Sequence, residues 1–342
     1  MRIGVIGCAH GELNRIYSSL PASAYLLLIC GDFLSARDFE SMSVPEKYKK
    51  LGDFEKYFRG ELKAPCLTIF IGGNHECSNY LWELYYGGYV APNIYYLGQS
   101  SLISVGGISI AGISGIHNER DCNSGYFESF PFRGKHVRSI YHTRSFEVFK
   151  LQQIKKPIDI FLSHDWPKNI CHYGNLEELL ERKPFFKTDI KTGNLGNPAL
   201  EQLLLELKPK NWFSAHLHVK FEAVVRHADR ETKFMALDKC LPRRQFLHIF
   251  EMGSPVKAPL KVKIDKDWIS ILRATQNLFP RGFGSFMAPQ MLNIAQNNES
   301  FIPEFDKSGN KKFCAKFQLP DPKELLNKPS AVEENPDEIA LD

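Results

Sequence analysis

Short polar motifs in this chain bring together the side-chain types that most often hold metal ions in proteins. Each motif directly follows an apolar run, and together they offer thiol, imidazole, carboxylate and amide donors. The donors are Cys8, His10, Asp32, Asn74, His75, His164, His216 and His218. Taken singly, each motif could be a turn or a hydrogen-bonded structural residue. The set predicts a metal site, and its imidazole and thiol groups favour first-row transition ions over Mg²⁺ or Ca²⁺.

The apolar runs before these motifs predict the elements that must position them. They are IGVIG, YLLLIC, CLTIFIGG, IDIFLS and NWFSA, and continuous apolar runs are typical of strands buried on both faces. Helical patterns over residues 45–58 and 198–207 alternate with the strands, which predicts an α/β fold with a mostly parallel central sheet. Ligands of such sheets bind beyond the carboxyl ends of the strands. We therefore expect all of the donors to lie on one rim.

Shorter and more amphipathic runs predict a second sheet packed on the first. These runs are SLISVGGISIAGISG, FEAVVRH, TKFMALD and QFLHIFEM. The pattern changes after residue 255: residues 256–279 contain a predicted helix, and residues 301–322 are expected to be irregular. Residues 328–342 are acidic and contain proline, which predicts a disordered tail.

The composition is that of an ordinary globular protein. The 342 residues carry a formal net charge of +4, with 24% charged and 43% hydrophobic residues. The eight cysteines are scattered without C-x-x-C pairs, so we expect reduced thiols. We also expect neither a secretory leader nor a membrane partner, because no stretch approaches the roughly 20 apolar residues that span a bilayer.

The order of the motifs resembles the calcineurin-like metallophosphoesterase superfamily. That pattern is [D/C]-x-H, G-D, G-N-H-[D/E], H and [G/A]-H-x-H. The resemblance implies a four-layer αββα sandwich with a two-metal centre. It also implies that Asp32 bridges the metals and that His75 contacts the phosphate and protonates the leaving oxygen. The implied ligand sets, apart from Asp32, are Cys8, His10 and His218 for one pocket and Asn74, His164 and His216 for the other.

The middle of the chain carries a basic and aromatic segment that narrows the substrate class. Basic groups neutralise phosphates, and aromatic faces stack on unpaired bases. The alternative is an ordinary surface loop with its aromatic residues in the core. The candidate RNA contacts are Arg120, Tyr126, Phe127, Arg133, Lys135, His136, Arg138, Tyr141, His142 and Arg144.

The amino-acid sequences of several stretches are similar to those of RNA lariat debranching enzymes. These stretches include SGIHNERD, VRSIYHTRSFEVFKLQQI, FLSHDWPKNICHYG and NWFSAHLHVKFEAVV. The resemblance implies metal-activated hydroxide attack on the 2′–5′ phosphodiester at the branch nucleotide of intron lariats. It further implies Fe(II) or Zn(II), with Mn(II) as a substitute, a nuclear location and spliceosome-associated proteins as candidate partners, with no DNA substrate.

The same resemblance implies how the chain is divided. Residues 1–254 would form the catalytic domain, with a lariat recognition loop at residues 114–144. Residues 255–327 would form a C-terminal region that packs on the catalytic domain, and the tail would follow.

Two questions stay open from sequence. Cys8 replaces the aspartate that is usual in the superfamily, and it could ligate as a thiolate or, as a thiol, leave a weaker site. The alternative functions are a metallophosphatase acting on nucleotides or phosphoproteins, and a non-catalytic scaffold. A scaffold would be expected to lose ligands that this chain keeps.

Overall fold

Two mixed β-sheets pack face to face and form the centre of the molecule. The structure, a computed structural model, describes residues 1–39, 42, 49, 51–253, 259–306 and 308–327. Helices cover the outer sides of the two sheets, so the predicted αββα sandwich is confirmed. No helix in the described ranges is both long and apolar enough to cross a membrane.

The elements are numbered in chain order. The strands are β1 (Arg2–Ile6), β2 (Leu26–Ile29), β3 (Leu67–Phe70), β4 (Gly88–Ala91), β5 (Ile94–Tyr96), β6 (Ser100–Val105), β7 (Ile108–Ile113), β8 (Ile160–Ser163), β9 (Asn211–Ser214), β10 (Phe221–Arg226), β11 (Glu231–Ala236), β12 (Leu247–Glu251) and β13 (Val262–Ile264). The helices are α1 (Leu13–Ser19), α2 (Phe54–Phe58), α3 (Ser78–Glu83), α4 (His136–Ser139), α5 (Ser145–Gln152), α6 (Leu176–Arg182), α7 (Phe186–Thr192), α8 (Pro198–Leu207), α9 (Lys266–Thr275), α10 (Lys311–Phe317) and α11 (Pro322–Asn327).

The first sheet has the strand order β12-β1-β2-β3-β5-β4. Its four inner strands run parallel, while β12 and β4 pair antiparallel at the two edges. Alternate residues of β1 and β2 pack into two different hydrophobic cores. Val5 and Leu28 face the second sheet, whereas Ile6 and Ile29 face α1 and α2. Because both faces are buried, the strands have continuous apolar sequences.

The second sheet has the order β10-β11-β9-β8-β7-β6-β13. Strands β11, β9, β8 and β7 are parallel, and the other pairings are antiparallel. The five runs expected to share one central sheet are therefore divided, with β1, β2 and β3 in the first sheet and β8 and β9 in the second. The run QFLHIFEM, expected in the second sheet, forms β12 beside β1 in the first. Those two expectations were wrong because apolar composition predicts burial without specifying the partner strand.

The predicted helices have mixed outcomes. Helix α8 matches the predicted residues 198–207, and α9 lies within residues 256–279. Helix α2 covers the last five residues of the predicted helix at 45–58. Residues 51–53 before it are not helical, and residues 45–48 and 50 of that prediction lie outside the described residues. Residues 301–322 are not irregular throughout, because Phe313, Cys314 and Phe317 bury one side of α10. The predicted tail at residues 328–342 also lies outside the described residues.

The C-terminal region packs directly on the sandwich. Strand β13 extends the second sheet by pairing with β6, and α11 packs on α3. The Trp82 indole donates to the carbonyl of Pro322 at 2.8 Å. The described cysteines are all free thiols, as expected. The boundary predicted near residue 254 stays a prediction.

Candidate metal centre

Strands of both sheets end at a common rim, and the predicted donors follow those ends. Cys8 and His10 follow β1, Asp32 follows β2, and Asn74 follows β3, all from the first sheet. His164, His216 and His218 follow β8 and β9 of the second sheet. The interface between the two sheets therefore carries donors from both, which a single sheet could not supply.

Four of these donors have a strained backbone. The φ angles are 48° at His10, 50° at Asp32, 59° at His216 and 50° at His218. Residues with a Cβ rarely adopt this left-handed conformation, and such strain concentrates at functional sites. The tight turns aim the four side chains at one another rather than along their strands.

One pocket is formed by Cys8, His10, Asp32 and His218. Their candidate ligand atoms all lie within 4.8 Å of one another. The Nε2 atom of His10 is 3.3 Å from Nε2 of His218 and 3.6 Å from Oδ2 of Asp32. Two ring nitrogens, a carboxylate and a sulfur converging on one point form a donor set that fits a transition ion.

The surroundings of this pocket set the charge of its donors. Burial lowers the pKa of His10. Burial, together with the nearby His10, also lowers the pKa of His218, to about 3. Both imidazole rings are therefore neutral and can offer a nitrogen lone pair to a metal ion. Burial, reinforced by Asp32, raises the pKa of the Cys8 thiol well above its usual range. This shift favours the thiol form of Cys8, and the His216 backbone N–H donates to its sulfur at 3.3 Å.

The predicted second pocket comprises Asn74, His164 and His216 with Asp32. The Nε2 atom of His164 is 3.3 Å from Oδ1 of Asp32, and the rings of His164 and His216 are 5.0 Å apart. Among the described residues, His164 Nε2 and Asn74 Oδ1 are buried without a hydrogen-bond partner. Buried polar atoms are nearly always paired, so these two unpaired atoms fit their predicted role as ligands of a second cation.

Hydrogen bonds orient the shared carboxylate and the buried imidazole. The backbone N–H groups of Asn74 and His75 donate to Asp32 Oδ1 at 3.0 and 2.9 Å. His164 Nδ1 lies 2.6 Å from the Cys30 carbonyl, which leaves Nε2 directed at Asp32. Burial raises the pKa of Asp32, but the neighbouring His164, together with His10 and His75, outweighs burial and holds the pKa of the carboxyl well below its usual range. Asp32 is therefore an anion suited to bridging two cations.

Two residues beside the centre, Glu76 and Lys239, have no role in the sequence-based predictions. The Glu76 carboxylate accepts backbone N–H groups of Phe33, Leu34 and Gly73 at 2.7, 3.0 and 3.1 Å, so it ties the Asp32 turn to the Asn74 turn. Its position two residues after Asn74 was the available signal. Lys239 lies near enough to His10 and His218 to lower the pKa of both, and no motif marked it.

Residues 114–144, the predicted recognition loop, begin beside the centre, where the Gly115 N–H donates to the Gly72 carbonyl at 2.9 Å. This segment, called the recognition loop below, presents part of the predicted RNA-contacting set to solvent. Arg120, Arg133, Lys135 and Arg138 are exposed. The side chains of Phe127, His136, Tyr141 and His142 are half-buried. Phe127 stacks on Phe283 of the C-terminal region at 4.4 Å, and His142 Nδ1 lies 2.5 Å from Asp121.

Two predicted RNA contacts are corrected by their burial. The side chain of Arg144 is fully buried and pairs with Glu128 at 2.7 Å. Tyr126 is 3% exposed, packs against Trp82 and donates to Glu147 at 3.2 Å. Neither side chain reaches solvent, so both stabilise the loop from within instead of contacting RNA.

The fold and this donor set define the class of the protein as a metallophosphoesterase. Residues 1–220 match the family described as "Calcineurin-like phosphoesterase", and residues 229–322 match "Lariat debranching enzyme, C-terminal domain". This family is metal-dependent, and the two pockets fit divalent ions.

Individual relatives narrow the class further. The chain is 47% identical over 292 residues to the lariat debranching enzyme of Arabidopsis thaliana, covering 82% of this chain and 70% of that protein. It is 41% identical over 363 residues to that of Schizosaccharomyces pombe, covering 80% and 78%. The chain belongs to the lariat debranching enzyme family.

The relatives differ from this chain in length. The chain is 49% identical over 315 residues to the lariat debranching enzyme of Homo sapiens, a match that includes 87% of this chain but 57% of the human protein. The chain thus spans a little more than half the length of that relative.

Proposed function

We propose that this protein hydrolyses the 2′–5′ phosphodiester bond at the branch nucleotide of excised intron lariats and releases linear RNA. The convergence of two donor pockets on the shared Asp32 carboxylate carries this proposal, because two-metal sites suit in-line displacement at phosphorus. Family membership and the exposed basic side chains of the adjacent loop support an RNA substrate over a nucleotide or a phosphoprotein.

Each residue of the centre has a task in this reaction. Cys8, His10 and His218 would hold one metal, Asn74, His164 and His216 the other, and Asp32 both. Bound divalent ions would supply Lewis-acid activation of the phosphate and of water. The donors suit Fe(II) or Zn(II), with Mn(II) as a substitute, since imidazole and sulfur are borderline-to-soft ligands.

His75 is proposed as the proton donor to the departing 2′-oxygen. Its backbone N–H is fixed on Asp32, and its ring lies 5.2 Å from the ring of His10. The ring is half-buried, so it can reach a phosphate at the rim while staying in contact with the donors. A positioned imidazole typically contributes about 10²–10⁴-fold to the rate of such a step.

The test compares a synthetic 2′–5′ branched RNA with its linear 3′–5′ counterpart, with added iron, zinc or manganese. We expect cleavage of the branched RNA alone. His75→Ala should lower kcat by about 10²-fold or more while RNA binding is unchanged, because a general acid acts on the rate. His172→Ala, at an exposed histidine outside the rim, is the matched control. Failure to cleave the branched RNA with every metal would refute the proposal.

A nuclear location and contacts with spliceosome-associated proteins are proposed from the substrate, because intron lariats are products of splicing. A fluorescently tagged chain in splicing-competent cells tests the location. Exclusion from the nucleus would contradict it.

A further inference from the structure

A polar cavity of about 560 Å³ lies between the recognition loop and the turn that precedes α8. Its lining includes His117 from the loop, Ser145 from the start of α5, and Asn197 and Gln202 at α8. None of the described metal donors lines it. The cavity is therefore distinct from the metal centre.

The wall of this cavity is nevertheless tied to the metal centre. The His117 backbone N–H donates to Asp165 Oδ2 at 3.0 Å, and Asp165 directly follows the donor His164. Asn197 exchanges backbone hydrogen bonds with the same segment, donating to the Trp166 carbonyl at 2.8 Å and accepting from Lys168 at 3.1 Å. A molecule in the cavity would lie beside the rim where the phosphate must bind.

Two buried polar groups of the wall lack a partner. Asn197 is 1% exposed, and its Oδ1 caps α8 by accepting the Ala199 and Leu200 N–H groups, yet within the described chain its Nδ2 donates to nothing. The Ser145 hydroxyl is likewise buried without a partner among the described residues. Such groups are rare in native proteins. Their coincidence on one cavity indicates a polar ligand.

The remaining lining indicates which ligand. Asn123, Asn194 and Gln202 add further amides, and the positive Lys168 is balanced by the negative Glu119. A balanced charge disfavours a simple anion site. Amide side chains both donate and accept, as the edges of unpaired bases require. The volume is within the usual range of small-ligand sites.

We propose that this cavity holds one unpaired nucleotide of the branched RNA, with its base hydrogen-bonded to the Asn197 amide and the Ser145 hydroxyl. The inference rests on the proposed function, whose substrate it specifies further. It makes Asn197 and Ser145 substrate-binding residues rather than purely structural ones.

The test uses full-length Asn197→Ser and Ser145→Ala variants. Serine is a good N-cap, so the first change keeps the α8 cap while it removes the amide donor. Asn175→Ser, at the exposed cap of α6, and Ser101→Ala, at another buried unpartnered hydroxyl in the described chain, are the matched controls. We expect the combined cavity variant to raise KM for branched RNA about tenfold, while hydrolysis of a small aryl phosphodiester is unchanged. The controls should leave both unchanged.

Branched RNAs with one abasic nucleotide at a time identify the base. One abasic position should raise KM for the unmodified protein and add little to the effect of the cavity variant, because both changes remove the same contact. Unchanged KM in the cavity variant, or equal loss of both activities, would overturn the inference while branched-RNA cleavage by the unmodified protein still stands. Failure of the unmodified protein to cleave branched RNA would instead refute the proposed function and the inference with it.

Discussion

Replacing Arg144 tests whether the recognition loop is held by a buried ion pair. Glu128 is 2% exposed, and its carboxylate lies 2.7 Å from the guanidinium of Arg144. The Arg144→Met substitution removes this guanidinium and leaves the Glu128 carboxylate buried without it. Removing one partner of a buried pair typically costs about 3–5 kcal/mol, because the other charge stays buried and unpaired. The upper part of that range applies here, since Arg144 also lies 5.4 Å from the ring of Tyr126 and 5.2 Å from that of Phe127.

A double-mutant cycle isolates the pair itself. Arg144→Met combined with Glu128→Met replaces both charges by apolar side chains of similar length. We expect the double variant to recover most of the lost stability, with a coupling energy of at least about 2 kcal/mol. Urea unfolding followed by tryptophan fluorescence measures each free energy, and Trp82 reports on the loop because it packs against Tyr126 at 5.2 Å.

The control is Arg138→Met, at an exposed arginine of the same loop. It should change the free energy of unfolding by less than about 0.5 kcal/mol and weaken binding of branched RNA. If Arg144→Met changed stability by less than about 1 kcal/mol while RNA binding was lost, Arg144 would be an RNA contact and the anchoring role would be wrong.

Three further predictions concern the centre and the core. Gly73→Ala should abolish metal retention, because the new Cβ would lie 2.7 Å from His164 Nε2. Gly72→Ala is the control and should retain metal, because its Cβ would make only ordinary van der Waals contacts. Elemental mass spectrometry measures the metal content of both variants. Cys8→Asp should shift the metal preference from zinc towards manganese and magnesium, and Cys8→Ser should weaken zinc binding. If both variants kept the original metal preference, Cys8 would not be a metal ligand. Lys150→Met should lower the free energy of unfolding in urea by about 3–5 kcal/mol, because Glu147, which pairs with Lys150 at 2.8 Å, would stay buried without a partner cation. A loss below about 1 kcal/mol would contradict this prediction.

The local parts of the site follow from short stretches of sequence. A strand end followed by a tight turn depends on a few adjacent residues, so the positions of the donors could be predicted from apolar runs and the polar residues after them. Helix α8 was equally local, because Asn197 caps it and Pro198 occupies its first turn. Family resemblance then supplied the division of the donors between two pockets.

Contacts between segments far apart in sequence determine which sheet each strand joins and which loop residues face solvent. Tyr126 and Arg144 belong to a segment whose composition suits RNA binding, but Glu147 and Glu128 bury them through contacts 21 and 16 residues away in sequence. The hydrogen bond from the Phe33 backbone N–H to Glu76 spans 43 residues, and no local sequence pattern contains such a pair. Burial and electrostatic pairing depend on contacts between distant segments, so the folded chain alone distinguishes a buried anchor from an exposed binding residue.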